Sequence, residues 1–130
     1  MSNKEVPPGF EKDLKNIAID FDGVIHDFSL GWHDGTCYGD PLPGSIAAVK
    51  KISETHNVII FTAKVKPSRP LVNGKTGLEL VTDWLEKYEI LDCVDEITCE
   101  KPRAQLYIDD KGYHFQSWKS TLAHFREKYE

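Results

Sequence analysis

Two carboxylates one residue apart, Asp20 and Asp22, follow the short apolar run Ile17-Ala18-Ile19 and precede Gly23. A run this short fits a strand buried on both faces of a sheet. Asp and Gly are poor strand residues, so the strand should stop near Asp20 and the chain should turn at Gly23. Two acidic groups at a strand mouth repel each other unless something positive lies between them, and a hard cation with oxygen ligands suits them. Taken alone, Asp-x-Asp is more often the start of an acidic loop. Two later stretches favour the chemical reading. Val58-Ile59-Ile60-Phe61 ends at Thr62, and Leu106-Tyr107-Ile108 ends at Asp109-Asp110. Three apolar runs thus each deliver a hydroxyl or carboxylate at the C-terminal end, the edge outside which open α/β sheets bind ligands.

The intervening segments must position these groups. Residues 25–43 are irregular and leave directly from the first acidic pair, which suggests a flap with a small hairpin turning at Asp34-Gly35. Its Trp32 and Tyr38 can either stack on a ring or anchor the loop on the core. Its His26 and His33 lack a Cys or third His at ligand spacing and read as flap residues. Ser45 can cap a helix running to about Thr55, with Ile46, Val49 and Ile52 inward. Residues 64–75 form a loop with Lys64, Lys66, Arg69 and Lys75 and no acid.

Thr76 and Glu79 have capping-box spacing and open a helix with Leu78, Val81, Leu85 and Tyr88 at helical intervals. Residues 93–97 fit a third strand, Lys101-Pro102 resembles a helix start, and Trp118, Leu122 and Phe125 mark a last helix. Gly74-Lys75-Thr76 imitates a phosphate-binding P-loop, but Arg69 stands where that motif needs its first Gly. Alternating strands and helices predict a parallel sheet covered on both faces. The expected fold is α/β: a single-domain, three-layer α/β/α sandwich on a Rossmann-like parallel sheet. It should span residues 16–130, after an N-terminal arm over residues 1–15 containing Pro7-Pro8-Gly9.

Composition narrows the function classes. A chain of 130 residues with 40% hydrophobic content suits one globular domain. A formal net charge of -5 argues against a general nucleic-acid binder. Cys37, Cys93 and Cys99 are odd in number and lack metal-site spacing, so they read as free thiols in a reducing compartment. No apolar stretch is long enough to span a membrane and no charged-then-apolar leader opens the chain, so a cytoplasmic protein is expected.

Asp20-Phe21-Asp22-Gly23-Val24, then Thr62, then Lys101, then Asp109-Asp110 resembles the four-motif signature of the haloacid dehalogenase (HAD) superfamily. The resemblance runs from about residue 16 to residue 112; Val24 stands where many members have Thr. Members are mostly magnesium-dependent phosphatases on a Rossmann-like sheet. The resemblance implies that Asp20 is a nucleophile forming an aspartyl phosphate and that Asp22 is the general acid and base. It implies that Thr62 hydrogen-bonds the phosphoryl group and that Lys101 neutralises its charge. Asp20, the backbone carbonyl of Asp22, and Asp109 would hold magnesium, with Asp110 nearby or bound through water. Gly23, Ala63 and Lys64 would border the substrate, and Lys64 competes with Lys101 for the phosphate.

The chemistry is coherent on general grounds. Phosphoryl transfer asks mainly for positioning and charge neutralisation. A carboxylate nucleophile splits hydrolysis into two easier steps, and a neighbouring carboxyl group can move the proton in each. Neither gap between motifs has room for a cap domain, so the mouth should be open. The flap aromatics and the basic loop would then suit a nucleotide or nucleic-acid end, unless a neighbouring subunit of an oligomer caps the site. A reading from another class is a phospho-accepting or ligand-binding regulatory domain without turnover. Receiver domains use similar residues, but with the acidic pair first and the phosphorylated Asp later.

Overall fold

The computed structural model describes residues 15–109, 113–114 and 117–129; the expected N-terminal arm (residues 1–14 of it) and Asp110 lie outside them. Strand β1 (Asn16–Asp20) carries Ile17, Ala18 and Ile19, all with no solvent exposure. Strand β2 (Asn57–Phe61) buries Val58, Ile59 and Ile60 in the same unbroken way. Apolar residues on both faces are what a covered parallel strand demands. Strands β3 (Glu96–Thr98), β4 (Leu106–Asp109) and the two-residue β5 (Tyr113–His114) complete the sheet. The order is β3-β2-β1-β4-β5 and every pairing is parallel.

That order contains a reversal. The chain steps outward from β1 to β2 and β3, then returns to place β4 on the other side of β1. The crevice at such a switch point is where doubly wound sheets bind ligands. Register sets its contents. Ile19 pairs with Ile108, so Asp20 and Asp109, each the next residue, stand side by side at the carboxyl end. Asp20 itself pairs with Phe61, so Thr62 lies one step beyond on the neighbouring strand.

Among the described residues, three α-helices accompany the sheet: α1 (Ser45–Ser53), α2 (Gly77–Lys87) and α3 (Trp118–Tyr129). Helix α2 begins with the anticipated capping box, Thr76 and Glu79 each bonding the other's backbone. Helix α1 differs from expectation at its start. Gly44, at φ 82°, holds the cap position, and Ser45 is the buried first helical residue with no side-chain cap bond. The left-handed backbone at the cap is accessible to Gly at low cost, and the Gly44 carbonyl receives the Ala48 N–H at 3.0 Å. Val49 and Ile52 of α1 share one apolar cluster with Trp118 and Phe125 of α3. On α2, the Trp84 ring meets Phe21 edge-on, with centroids 5.1 Å apart.

Other boundaries also move. Residues 91–93 form a single 3₁₀ turn, so the third strand starts later than anticipated. Lys101-Pro102 starts no helix. The segment is tied down as an extended lead-in to β4: Asn16 Nδ2 donates to the Arg103 carbonyl, and Gln105 N–H donates to the Asn16 carbonyl at 2.8 Å. The Tyr107 hydroxyl caps it by donating to the Pro102 carbonyl. The flap turns at Gly35, whose N–H reaches the Trp32 carbonyl at 2.8 Å, but it forms no two-stranded ladder. Instead, Tyr38 holds it: its hydroxyl donates to the Gly31 carbonyl at 2.8 Å and accepts the Leu30 N–H at 2.9 Å. Among the described residues, no helix is long and apolar enough to cross a membrane.

Helix α3 is fastened to the loop after β1 by Trp118, whose Nε1–H donates to the Val24 carbonyl at 2.9 Å in a buried setting. Trp118→Phe keeps much of the ring and deletes the donor. Leaving that carbonyl unpaired should cost about 1–3 kcal/mol, read as a lower urea midpoint with an unchanged slope.

Candidate active site

Beyond Asp20 the chain folds back on itself within a few residues. The Phe21 carbonyl accepts the N–H groups of Ile25 and His26, at 2.9 and 3.0 Å, and Gly23 N–H returns to the His26 carbonyl. Gly23 takes φ 82°, the left-handed conformation this turn requires and the reason for the Gly after Asp22. The turn swings Asp22 back over the strand end. The Asp20 carboxylate is oriented by the Phe21 N–H, 2.7 Å from its Oδ1.

The result is a cavity of about 460 Å³ at the carboxyl edge. Of the residues singled out from the sequence, Asp20, Asp22, Thr62, Ala63, Lys64, Lys101 and Asp109 all line it; Gly23 does not. Trp32 and Arg69 form part of the wall, as do Phe28, Phe61 and Cys99, which the sequence did not distinguish from ordinary core or loop residues. Tyr38 and Lys66 are not among the lining residues. Lys75 points elsewhere: its ammonium bonds Asp83 at 2.6 Å, which raises the Lys75 pKa, and the P-loop imitation is a turn followed by a helix cap.

The two lysines occupy different niches. Lys101 is partly exposed and lies 3.9 Å from Asp109 Oδ2, with its ammonium 4.4 Å from the centre of the Tyr107 ring. Lys64 is enclosed, with its side chain 1% exposed and its ammonium 3.6 Å from Asp22 Oδ2. Phe28 and Trp32 from the flap each present a ring to it, with centroids 5.2 Å away. Cation–π attraction operates within this distance and partly replaces lost hydration. The Lys64 ammonium makes no hydrogen bond among the described residues. Thr62, itself buried, accepts the Lys64 backbone N–H at 3.2 Å and so caps the 3₁₀ turn Ala63–Val65 that presents the lysine.

Flap chemistry is structural around this cluster. Ser29 N–H on Asp27 and the Thr36 donors on Asp34 hold both carboxyls below their ordinary range and fix two tight turns. Burial pushes the Cys37 thiol up to about 12, which keeps it protonated and unreactive. All three cysteines are free.

Asp20 and Asp109 offer carboxylate oxygens on adjacent strands, and the Asp22 carbonyl follows directly. Among the described residues, no group of three His, Cys, Asp or Glu side chains converges into a metal site by itself. An all-oxygen set with few protein ligands still fits magnesium, which commonly retains several waters. His26 is fully buried and both of its ring nitrogens are already engaged, which removes it from any ligand set. No family model, curated protein or solved structure matches the chain.

The Lys64–Asp22 pair is asymmetric, because Lys64 is enclosed while Asp22 retains 19% side-chain exposure and a His26 hydrogen bond. Asp22→Asn strands a buried ammonium and should cost about 3 kcal/mol, whereas Lys64→Met should cost less than about 1 kcal/mol. Thermal melts of both variants check the order; a larger loss in Lys64→Met would contradict it.

Proposed function

We propose that this chain is a magnesium-dependent phosphatase of the haloacid dehalogenase type, hydrolysing a phosphate monoester through an aspartyl phosphate on Asp20. In this reading it is a single-domain, capless, three-layer α/β/α sandwich on a Rossmann-like sheet and works in the cytoplasm. The observation that carries the proposal is one cavity at the switch point, into which four adjacent strands and the loops following them deliver Asp20, Asp22, Thr62, Lys101 and Asp109.

The Asp20 carboxylate attacks phosphorus, and the bond to the leaving oxygen breaks as the aspartyl phosphate forms. Asp22 gives its proton to that oxygen and later takes one from the water that hydrolyses the intermediate. The Thr62 hydroxyl donates to a phosphoryl oxygen, while Lys64 and Lys101 offset the negative charge from two sides. Asp20, the Asp22 carbonyl and Asp109 would hold magnesium, with Asp110 as a further candidate. The bound ion would offset charge between carboxylate and phosphate.

The cavity wall also suggests a substrate class. Arg69 lies over the Trp32 ring at 4.9 Å, and Phe28 stands beside them, so cation and aromatic surface are presented together. A nucleotide or nucleic-acid end offers both an anion and a stacking ring. Substrates of that class should show higher kcat/KM than small sugar phosphates, and Arg69→Glu should narrow the difference. A sugar-phosphate preference untouched by Arg69→Glu would overturn this assignment.

Phosphate release should stop in chelator and return with magnesium. Asp20→Asn should abolish both turnover and the phosphate adduct seen by intact-mass measurement. A stable adduct on Asp20 with no turnover would instead identify a phospho-accepting regulatory domain. Wild-type turnover by Asp20→Asn would remove Asp20 as nucleophile.

A further inference from the structure

Resting on the phosphatase reading, we propose that His26 is a positioning residue for the Asp22 carboxylate. Its imidazole, held with the proton on Nδ1, donates to Asp22 Oδ1 and leaves Oδ2 to exchange the proton with the substrate.

The hydrogen-bond chain fixes the tautomer. His26 Nδ1 lies 2.9 Å from Asp22 Oδ1. On the other side of the ring, the Gly39 backbone N–H lies 2.8 Å from Nε2. A backbone N–H only donates, so Nε2 must accept with its lone pair. A doubly protonated ring would set one N–H against another there. The single ring proton therefore sits on Nδ1 and points at the carboxylate.

The ring cannot readily turn away. It has no solvent exposure and stacks on Phe21 with centroids 5.0 Å apart and planes inclined by 3°. Trp84 and Tyr38 close on it edge-on at 5.6 and 5.3 Å. The acceptor side is equally fixed. Trp84 Nε1–H donates to the Gly39 carbonyl at 2.9 Å, and a Cβ at Gly39 would stand 2.1 Å from the Asp27 carbonyl oxygen. One line of donors thus runs from Trp84 on α2 through Gly39 and His26 to Asp22. The opposite oxygen, Oδ2, faces the Lys64 ammonium at 3.6 Å on the cavity wall. With Oδ1 anchored to a rigid ring, rotation of the carboxylate under the pull of Lys64 is prevented. Proton transfer depends steeply on this kind of fixed approach.

Two measurements test the assignment. Long-range nitrogen–proton NMR spectra of the full chain should place the His26 proton on Nδ1; a proton on Nε2 overturns the proposal, and this readout needs no turnover. Two substitutions then separate the two ends of the ring. His26→Asn sets an amide nitrogen at the Nδ1 level and keeps a donor for Asp22. His26→Gln reaches the Nε2 level, keeps an acceptor for Gly39 and loses that donor.

Kinetics are compared on an alkyl phosphate, whose leaving oxygen needs a proton, and on p-nitrophenyl phosphate, whose leaving group does not. His26→Gln should lose about a hundredfold in kcat/KM on the alkyl ester and about tenfold less than that on p-nitrophenyl phosphate, while His26→Asn stays near wild type on both. Equal losses on the two substrates, or a larger loss in His26→Asn, overturn the positioning role. If the glutamine variant does not fold, the NMR spectrum decides. Absence of phosphate release by the wild-type chain would instead overturn the phosphatase reading and His26's role with it; normal wild-type turnover with the proton on Nε2 would overturn the His26 assignment alone.

Discussion

An ammonium taken out of water beside a carboxylate is the constraint around which the mouth of this molecule is built. Lys64 has almost no exposed side-chain surface, and such a charge is costly unless its surroundings compensate. Asp22 offsets part of the cost, and the Phe28 and Trp32 rings offset more. This ties the flap to the site: the loop that supplies the rings covers the lysine, and its internal bonds through Asp27, Asp34 and Tyr38 keep the rings there. Arg69 then stacks on the outer region of the same assembly, against Trp32. The charges at the mouth, the flap shape and the cavity wall are thus one electrostatic arrangement.

The sheet provides what this arrangement rests on. Parallel strands buried on both faces tolerate little sliding, because a one-residue slip exchanges the faces of every side chain. Ile17, Ala18 and Ile19 lock β1 between two neighbours, and Asp20 and Asp109 are level as a result. Lys101 approaches Asp109 from a segment with no regular structure, held in place by Asn16 and Tyr107. Its position is therefore also a product of β1, through the side chain and carbonyl of that strand's first residue.

Apolar runs ending in Asp or Thr made the strands and the candidate acids legible in the sequence, because burial and strand termination are local properties. The capping box at Thr76 was legible for the same reason. Features requiring knowledge of a distant partner were not. Pro102 reads as a helix start until Asn16 and Tyr107 are seen to claim the backbone around it. Ser45 reads as a cap until Gly44 is seen in the left-handed region. His26 reads as a flap residue because its two partners, Asp22 and the Gly39 N–H, converge only after the turn at Gly23 closes and the flap returns. Only the spacing between Asp22 and His26 hinted at it, and that spacing has no fixed meaning outside a helix.

The switch point in the strand order also sets the sequence of events during synthesis. Strands β1 and β2 come from the first half of the chain and can pair while the remainder is still being made. Strand β4 is made after β2 and β3 and must return past them to dock against β1, and long-range parallel pairing of this kind forms slowly. Asp20 therefore has no Asp109 beside it until the ribosome has passed the end of β4. The repulsion between Asp20 and Asp109 is deferred until β4 docks, when the hydrophobic contacts of β1 with β2 already hold one side of the mouth. A nascent fragment ending before β4 lacks this pair of acids altogether, so the two carboxylates stand side by side only once the fourth strand has joined the sheet.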